Sequence, residues 1–198
     1  MSLRFLGNSV TLEKTYIAST GTVCGPLEYL GPLGSCFDKS VQDYHYGEKS
    51  FEKAERKMLR AALDICLKRE RLKYKDIDLY LGSDLLNQIT SVNYLAREIP
   101  RPFVGVYGAC SGFALSLALA SMLIEAGFVE KTVALVSSHN ATAERQYRYP
   151  VEYGIQKRYH NIYGYRCCFN AYNESTTSCQ SRGSDIRTCD RLLTNRCQ

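Results

Sequence analysis

The sequence predicts an α/β fold in which a mostly parallel sheet carries helices on its faces. Short runs of β-branched and aromatic residues alternate along the chain with longer segments of helical periodicity. This alternation is typical of parallel strands joined by crossover helices. The composition agrees, because 45% of the 198 residues are apolar, as in ordinary globular domains.

The predicted elements follow one another in order. The first strand begins at Thr15 in TYIAST, and a loop rich in Gly and Pro follows it over 21–34. Segment 51–71 places apolar residues at helical spacing with charged residues between them, which predicts an amphipathic helix. The remaining predicted elements are strand Ile77–Leu81, helix 85–99, strand 102–107, helix 113–127 and strand 132–137.

Composition also limits the classes of partner. The net charge of +5 is modest and the basic residues are scattered, which argues against nucleic acid as a partner. The apolar run 113–128 is interrupted by Ser116, Ser121 and Glu125, and it is shorter than the roughly 20 residues that a membrane span needs. The first residues lack the continuous apolar stretch of a signal peptide, so we expect synthesis in the cytoplasm.

Polar residues follow three of the predicted strands, in GSDLLNQ (82–88), GACSG (108–112) and SSHNATAERQ (137–146). Ligands of open α/β sheets bind beyond the carboxyl ends of the strands, so we expect these segments to converge on one crevice. The candidate ligand-binding residues are Asp84, Asn87, Gln88, Cys110, His139 and Asn140.

Cys110 is the candidate nucleophile of this crevice. It follows a strand and opens a helix, and the positive end of a helix dipole lowers the pKa of a thiol. A nucleophilic cysteine normally needs a base, which His139 at the next strand end could supply. Two alternatives stay open: a small buried role for Cys110, and a histidine that bonds within its own loop for His139.

Other candidate residues have ordinary structural explanations. Asp84 could bind a cation or orient a ligand, but it also stands where an N-cap would precede LLNQITSV. His45 lies in a polar segment and is expected at the surface. No resident metal or cofactor is predicted. Three cysteines lack the spacing of metal ligands and are expected to pack in the core or in loops, namely Cys24, Cys36 and Cys66.

Several motifs resemble a known family. GACSGF and the apolar helix after it resemble the nucleophile region of the thiolase superfamily, particularly its β-ketoacyl-carrier-protein synthase III branch. Segments 19–39, 82–97 and 137–157 resemble the stage V sporulation protein AD family of spore-forming bacteria, and the similarity runs from about Thr15 to Lys157. The resemblance implies a thiolase-like fold, of which residues 1–157 would form the N-terminal half of the duplicated βαβαβαβ arrangement.

The resemblance implies binding without catalysis. The ligand would be dipicolinic acid, free or as its calcium chelate, during its uptake into the developing spore and its release in germination. Calcium would be present only as part of the chelate. The helix after Cys110 would attract a carboxylate, the amides and His139 would add hydrogen bonds, and Asp84 would act through calcium or a protonated ligand.

The same resemblance suggests partners and a location. The chain would associate peripherally with the inner membrane of the forespore and spore, through membrane-embedded proteins of the same sporulation system. A homodimer like those of thiolase-like proteins stays open.

Two other outcomes remain. One is a condensing-enzyme-type acyltransferase with Cys110 as nucleophile, although the other catalytic groups of those enzymes come from a second half of the fold that this chain is expected to lack. The other is an inactive truncated product.

Residues 158–198 differ in composition from the rest. They hold six Arg and no Lys, few aliphatic residues, and five of the nine cysteines. The sequence predicts a poorly ordered tail without a core strand or helix. A zinc or disulfide module is disfavoured because the cysteines lack CxxC pairing. Back-translated codons read one base later can encode strands rich in Thr, Ala and Val, so we interpret the tail as an out-of-frame translation.

Overall fold

The computed structural model describes residues 4–7, 9–143 and 168–173. The strands are β1 (Arg4–Leu6), β2 (Ser9–Thr11), β3 (Thr15–Gly21), β4 (Val23–Cys24), β5 (Lys39–Ser40), β6 (Leu79–Ser83), β7 (Phe103–Gly105), β8 (Lys131–Val136) and β9 (Cys168–Asn173). The helices are α1 (Pro26–Tyr29), α2 (Phe51–Arg69), α3 (Thr90–Ala96) and α4 (Gly112–Glu125).

The main sheet has the strand order β3-β9-β8-β6-β7. β6 pairs in parallel with β7 and with β8, whereas β9 is antiparallel to both of its neighbours. Four of its strands therefore point the same way. Outside this sheet, β1 and β2 form an antiparallel pair, and β4 and β5 form a short parallel pair. The predicted α/β class with a mostly parallel sheet is confirmed.

Helices α2 and α4 cover opposite faces of the sheet. Successive strand residues point to opposite faces, and Tyr80 packs into the same core cluster as Leu59 and Leu63 of α2. The next residue, Leu81, packs instead with Ala120 of α4. The two helices thus use alternate side chains of the same strand, as the prediction of helices on the sheet faces requires.

Helix α2 forms where its periodicity predicts it. Ser50 caps its first turn by accepting a hydrogen bond from Lys53 N at 3.4 Å, and Lys68 and Arg69 complement the negative end of the helix dipole. Gly21 of β3 crosses it closely, because a Cβ at that position would overlap the carbonyl oxygen of Ala62. Helix and strand are therefore in near-backbone contact.

Helix α3 is shorter than the predicted 85–99. The chain turns at Gln88 and Ile89, which have φ of 59° and 45°, and the helix begins only at Thr90. The carboxylate of Asp84 sets this boundary by accepting a hydrogen bond from Val92 N at 2.9 Å. The strand before α3 also differs from the predicted Ile77–Leu81. A 3₁₀ turn occupies Tyr74–Asp76, and the strand runs over Leu79–Ser83.

Several short strands and one short helix were not predicted. The loop at 21–34 contains β4 and the short helix α1, whose first position is occupied by Pro26. The paired strands β1 and β2 precede the first predicted strand.

The prediction of no core strand after Lys157 is wrong for Cys168–Asn173. These six residues form β9, inside the main sheet between β3 and β8. A sheet ladder is made by backbone N–H and C=O groups, so an unusual composition does not prevent pairing. The rest of the tail, its cysteines at 167, 179, 189 and 197 and the out-of-frame interpretation lie outside the described residues, as do 144–157 of the last family motif.

Among the helices of the described ranges, none is long and apolar enough to cross a membrane.

Candidate functional site

The carboxyl ends of the parallel strands meet at one edge of the sheet. Ser137 N donates to the carbonyl oxygen of Ser83 at 3.1 Å, and Val106 N donates to that of Gly82 at 2.8 Å. Helix α4 begins against the same edge, because a Cβ on Gly112 would overlap the Ser83 side chain. The segments that the sequence predicted to converge are therefore anchored together at the ends of β6, β7 and β8.

Cys110 lies at the head of α4 and is exposed. It is the middle residue of a 3₁₀ turn, Ala109–Ser111, that Ser111 N closes by donating to Gly108 O at 2.9 Å. Ala109 has a φ of 44°, in the left-handed region that residues with a side chain rarely occupy. Cys110 is thus not a small buried residue: it lies exposed at the positive end of the helix.

The other described cysteine side chains differ from Cys110. Cys24 and Cys66 are buried, and burial raises the pKa of both thiols, that of Cys66 to about 11. Such thiols stay protonated and unreactive, as their predicted packing role requires. Cys36 is half-buried. The part of the chain that the structure describes brings no three His, Cys, Asp or Glu residues into an arrangement that could hold a metal ion.

Asp84 is a structural carboxylate. It is buried, and its two oxygens accept hydrogen bonds from Leu86 N at 2.8 Å and Val92 N at 2.9 Å. Burial raises its pKa to about 6, although the N–H groups of Val92, Leu86 and Ser91 oppose the rise. Of its two interpretations, the geometry favours the helix-capping one.

Asn87 and Gln88 are exposed beside the Asp84 turn. Their carbonyl oxygens accept hydrogen bonds from Thr90 Oγ1 at 2.8 Å and from Asn93 Nδ2 at 2.9 Å. The backbone of this turn is therefore fixed by the helix that follows, while the two amide side chains stand at the surface.

His139 is buried within the fold. Its Nδ1 accepts a hydrogen bond from Ala141 N at 3.1 Å, so Nε2 carries the proton and donates to Tyr44 O at 2.8 Å. Phe51 packs against the His139 ring at 5.0 Å and against the His45 ring at 4.3 Å. One ring nitrogen of His139 thus bonds its own loop and the other bonds the backbone at Tyr44, which favours a structural histidine over a base. Next to it, Asn140 is half-buried.

Sequence reasoning missed Glu55. This residue of α2 is 1% exposed, and its Oε1 and Oε2 lie 2.8 Å from Ser137 Oγ and 2.9 Å from Thr142 Oγ1. Burial and then the nearby charge of Asp84 raise the pKa of Glu55 to about 8, although its hydroxyl partners oppose the rise. A signal was present, because Glu55 stands four residues before Leu59 on the buried side of the helix.

This architecture, a mostly parallel sheet between helices, is a thiolase-like fold. Solved structures share it. The 3-oxoacyl-[acyl-carrier-protein] synthase III of Aquifex aeolicus VF5 superposes with a TM-score of 0.52 at 14% identity, covering 80% of this chain and 54% of that one. A variant of Xanthomonas campestris OleA gives 0.54 at 10% identity, covering 83% and 60%. Identities this low show the fold alone.

The chain belongs to the stage V sporulation protein AD family. The model of that family matches residues 8–164. The chain is also 49% identical over 142 residues to the stage V sporulation protein AD of Bacillus subtilis (strain 168). That match covers 72% of this chain and 42% of the relative, so the chain spans less than half the length of the relative. The family predicted from the sequence motifs is confirmed.

Proposed function

We propose that this sporulation-family chain binds dipicolinic acid without catalysis, at the edge where α4 begins. The observation that carries the proposal is that a long helix begins against the end of β6, at Ser83, and that the loop which continues from that strand end carries two exposed amides. Dipicolinate is a small, flat dianion, and a helix N-terminus offers N–H donors and positive potential to a carboxylate. Asn87 and Gln88 would donate hydrogen bonds to the other polar atoms of the ligand.

The buried candidates have a different role in this proposal. Asp84 and His139 shape the two loops and do not touch the ligand, because their polar atoms are bonded to backbone groups. Asn140, half-buried on the second loop, is the inner boundary of the site. Since Asp84 stays inside the fold, calcium would reach the site only as part of the dipicolinate chelate.

Family membership supports a physiological setting. Dipicolinate would be held during uptake into the developing spore and release in germination. The chain would act peripherally at the inner membrane of the forespore and spore, beside membrane-embedded proteins of the same system.

Acyl transfer by Cys110 is the second candidate function. Cys110 is exposed at the positive end of α4, directly after Ala109, whose φ is 44°, and this placement favours a reactive cysteine. His139 argues against it, because a base needs a free ring nitrogen and both of its nitrogens bond within the fold.

Alkylation of Cys110 separates the two functions. We expect dipicolinate to slow the reaction of a maleimide with Cys110, and benzene-1,3-dicarboxylate, which lacks the ring nitrogen, to protect it less. Asn87→Ala and Gln88→Ala should each weaken dipicolinate binding about 3- to 10-fold, the value of one hydrogen bond. Exposed Asn93 is a poor control because it bonds Gln88, so Asp64→Asn on α2 is the matched variant.

Each outcome points to one function. Protection by dipicolinate without a covalent product supports binding. A mass increase at Cys110 after incubation with acyl-CoA, absent in Cys110→Ser, would establish acyl transfer instead. Equal protection by dipicolinate and an unrelated monocarboxylate would show that the edge attracts anions without selecting this one.

A further inference from the structure

Two loops at the sheet edge are each organised around one buried carboxyl group. Asp84 holds the first loop through the N–H groups of Leu86 and Val92. Glu55 holds the second loop, residues 137–143, through the hydroxyl groups of Ser137 and Thr142. Glu55 belongs to α2, so it fastens a loop at the end of β8 to a helix on the sheet face.

The hydrogen bonds around Glu55 can be compared between its neutral and its ionised form. Thr142 Oγ1 lies 2.9 Å from Glu55 Oε2 and 3.3 Å from His139 O, and a hydroxyl has one hydrogen to donate. If Glu55 is neutral, its O–H donates to Thr142 Oγ1, Thr142 donates to His139 O, and Ser137 donates to the other carboxyl oxygen. If Glu55 is ionised, Thr142 donates to Glu55 instead, while His139 O keeps its bonds from Thr142 N at 3.0 Å and Ala143 N at 2.8 Å. Hydrogen bonds therefore form in both states, and it is the burial of Glu55, which is 1% exposed, that makes its ionised form costly unless the loop opens to water.

The charges around Glu55 also favour the neutral form. From the loop that follows β6, the group that acts on it is the carboxylate of Asp84, which has the same sign. On α2 itself, Arg56 and Lys57 form their ion pairs with Glu98 and Glu48. On the loop, His139 uses both ring nitrogens elsewhere. An ionised Glu55 would be a second buried negative charge beside Asp84, which is costly.

We propose that Glu55, held neutral, is the positioning residue that fixes the loop 137–143 against α2, and that the loop loosens when Glu55 ionises. Because the loop carries His139 and Asn140, binding of a dianion at this edge depends on the same proton; this consequence alone rests on the proposed function. The pKa of about 8 places the change just above neutral pH. As pH rises through that value, the loop loses its attachment and the affinity for a dianion falls.

Hydrogen–deuterium exchange of the 137–143 peptide tests the positioning role without ligand. The full chain is compared at about pH 7 and about pH 9, with chemical exchange rates corrected, and protection in the wild type should fall about tenfold. Glu55→Gln should keep equal protection at both pH values, because its amide accepts from Ser137, donates to Thr142 and cannot ionise. Asp64→Asn, an exposed carboxylate change on the same helix, should behave like the wild type.

In Glu55→Ala the loop should lose protection at both pH values. If that variant unfolds, the comparison of wild type with Glu55→Gln still tests the positioning role. The assignment is overturned if protection of the wild-type loop does not change with pH. It is also overturned if Glu55→Gln shows the same pH dependence of protection as the wild type.

Dipicolinate affinity at the same two pH values tests the ligand link. Weaker binding at the higher pH in the wild type, but not in Glu55→Gln, supports it. Equal binding while the loop loosens overturns the link. Absence of binding at either pH, with the expected exchange pattern, overturns the proposed function and leaves the positioning role of Glu55 supported.

Discussion

Helices α2 and α4 cover opposite faces of one sheet but present different surfaces outward. The outer side of α2 is charged, with Arg56 and Arg60 paired with Glu98, and Lys57 with Glu48. Helix α4 has no charged residue before Glu125. Its buried residues are Gly112, Ser116, Ala120, Ser121 and Ile124, and its less buried ones include Phe113, Ala114, Leu115, Leu117, Ala118 and Leu119.

The difference indicates which of the two helices still exposes an apolar side. A charged outer side paired in ion pairs is typical of a helix that faces water, so α2 needs no further cover. A helix that is apolar all round is typical of one buried on every side. Its small residues let α4 sit close to the sheet, and Leu115 remains 40% exposed. We therefore expect α4 to need a second layer of protein and α2 to need none.

The largest contrast should come from one substitution made on each helix. Leu63 of α2 is fully buried in the main core, so Leu63→Ala should lower the free energy of unfolding by about 2–5 kcal/mol. Leu115→Ala on the outer side of α4 should change it by less than about 0.5 kcal/mol. Urea unfolding measures both. Similar losses would mean that the exposed side of α4 is packed in solution.

A smaller effect tests how closely α4 approaches the sheet. Gly112→Ala places a Cβ against the Ser83 side chain and should cost about 1–3 kcal/mol. Because the obstacle is a side chain, Ser83→Gly in the same molecule should restore most of the loss. Purely additive costs in this double-mutant cycle would contradict the contact. Gly21 against α2 offers no such rescue, since the obstacle there is the Ala62 carbonyl.

Most of the fold could be predicted because its signals are local. The periodicity of α2 and α4 and the apolar runs of β6 to β8 need only neighbouring residues to be recognised. Strand β9 escaped prediction because its place depends on backbone pairing with β3 and β8, far away in the chain. The start of α3 was misplaced because a side chain eight residues away, Asp84, caps Val92.

The candidate site was predictable to the level of segments. The position of Cys110 between a predicted strand and a predicted helix agrees with the structure, where it lies in a turn at the head of α4, but its exposure was left open. Whether a polar side chain faces the sheet edge or the interior could not be read from the sequence, as the buried Asp84 and His139 show. Glu55 was missed because charge was taken as a sign of solvent, although its position relative to Leu59 and Ala62 places it on the buried stripe.

The ion pairs on the outer side of α2 should contribute little. Glu98→Gln removes the partner of Arg56 at 3.5 Å and of Arg60, and should cost about 0.2–1 kcal/mol at low salt. The cost should shrink at high salt, since exposed charges are screened. A loss that persists in high salt would show that Glu98 packs as well as pairs.

Charged substitutions on the outer side of α4 should change stability least while clearly changing dye binding and self-association. Leu115→Glu with Ala118→Lys places an opposite-charge pair on the outer side of α4, at positions one helical turn apart. We expect the free energy of unfolding to stay within about 0.5 kcal/mol, because neither side chain is part of the core. Binding of a hydrophobic dye and concentration-dependent self-association should both decrease, since the substitutions reduce the apolar surface that α4 exposes. Lys53→Glu, a charge change at an exposed position of α2, is the control, and it should leave dye binding unchanged. If the α4 variant unfolds instead, the outer side of that helix is already buried in the chain, and the contrast between the two layers is wrong.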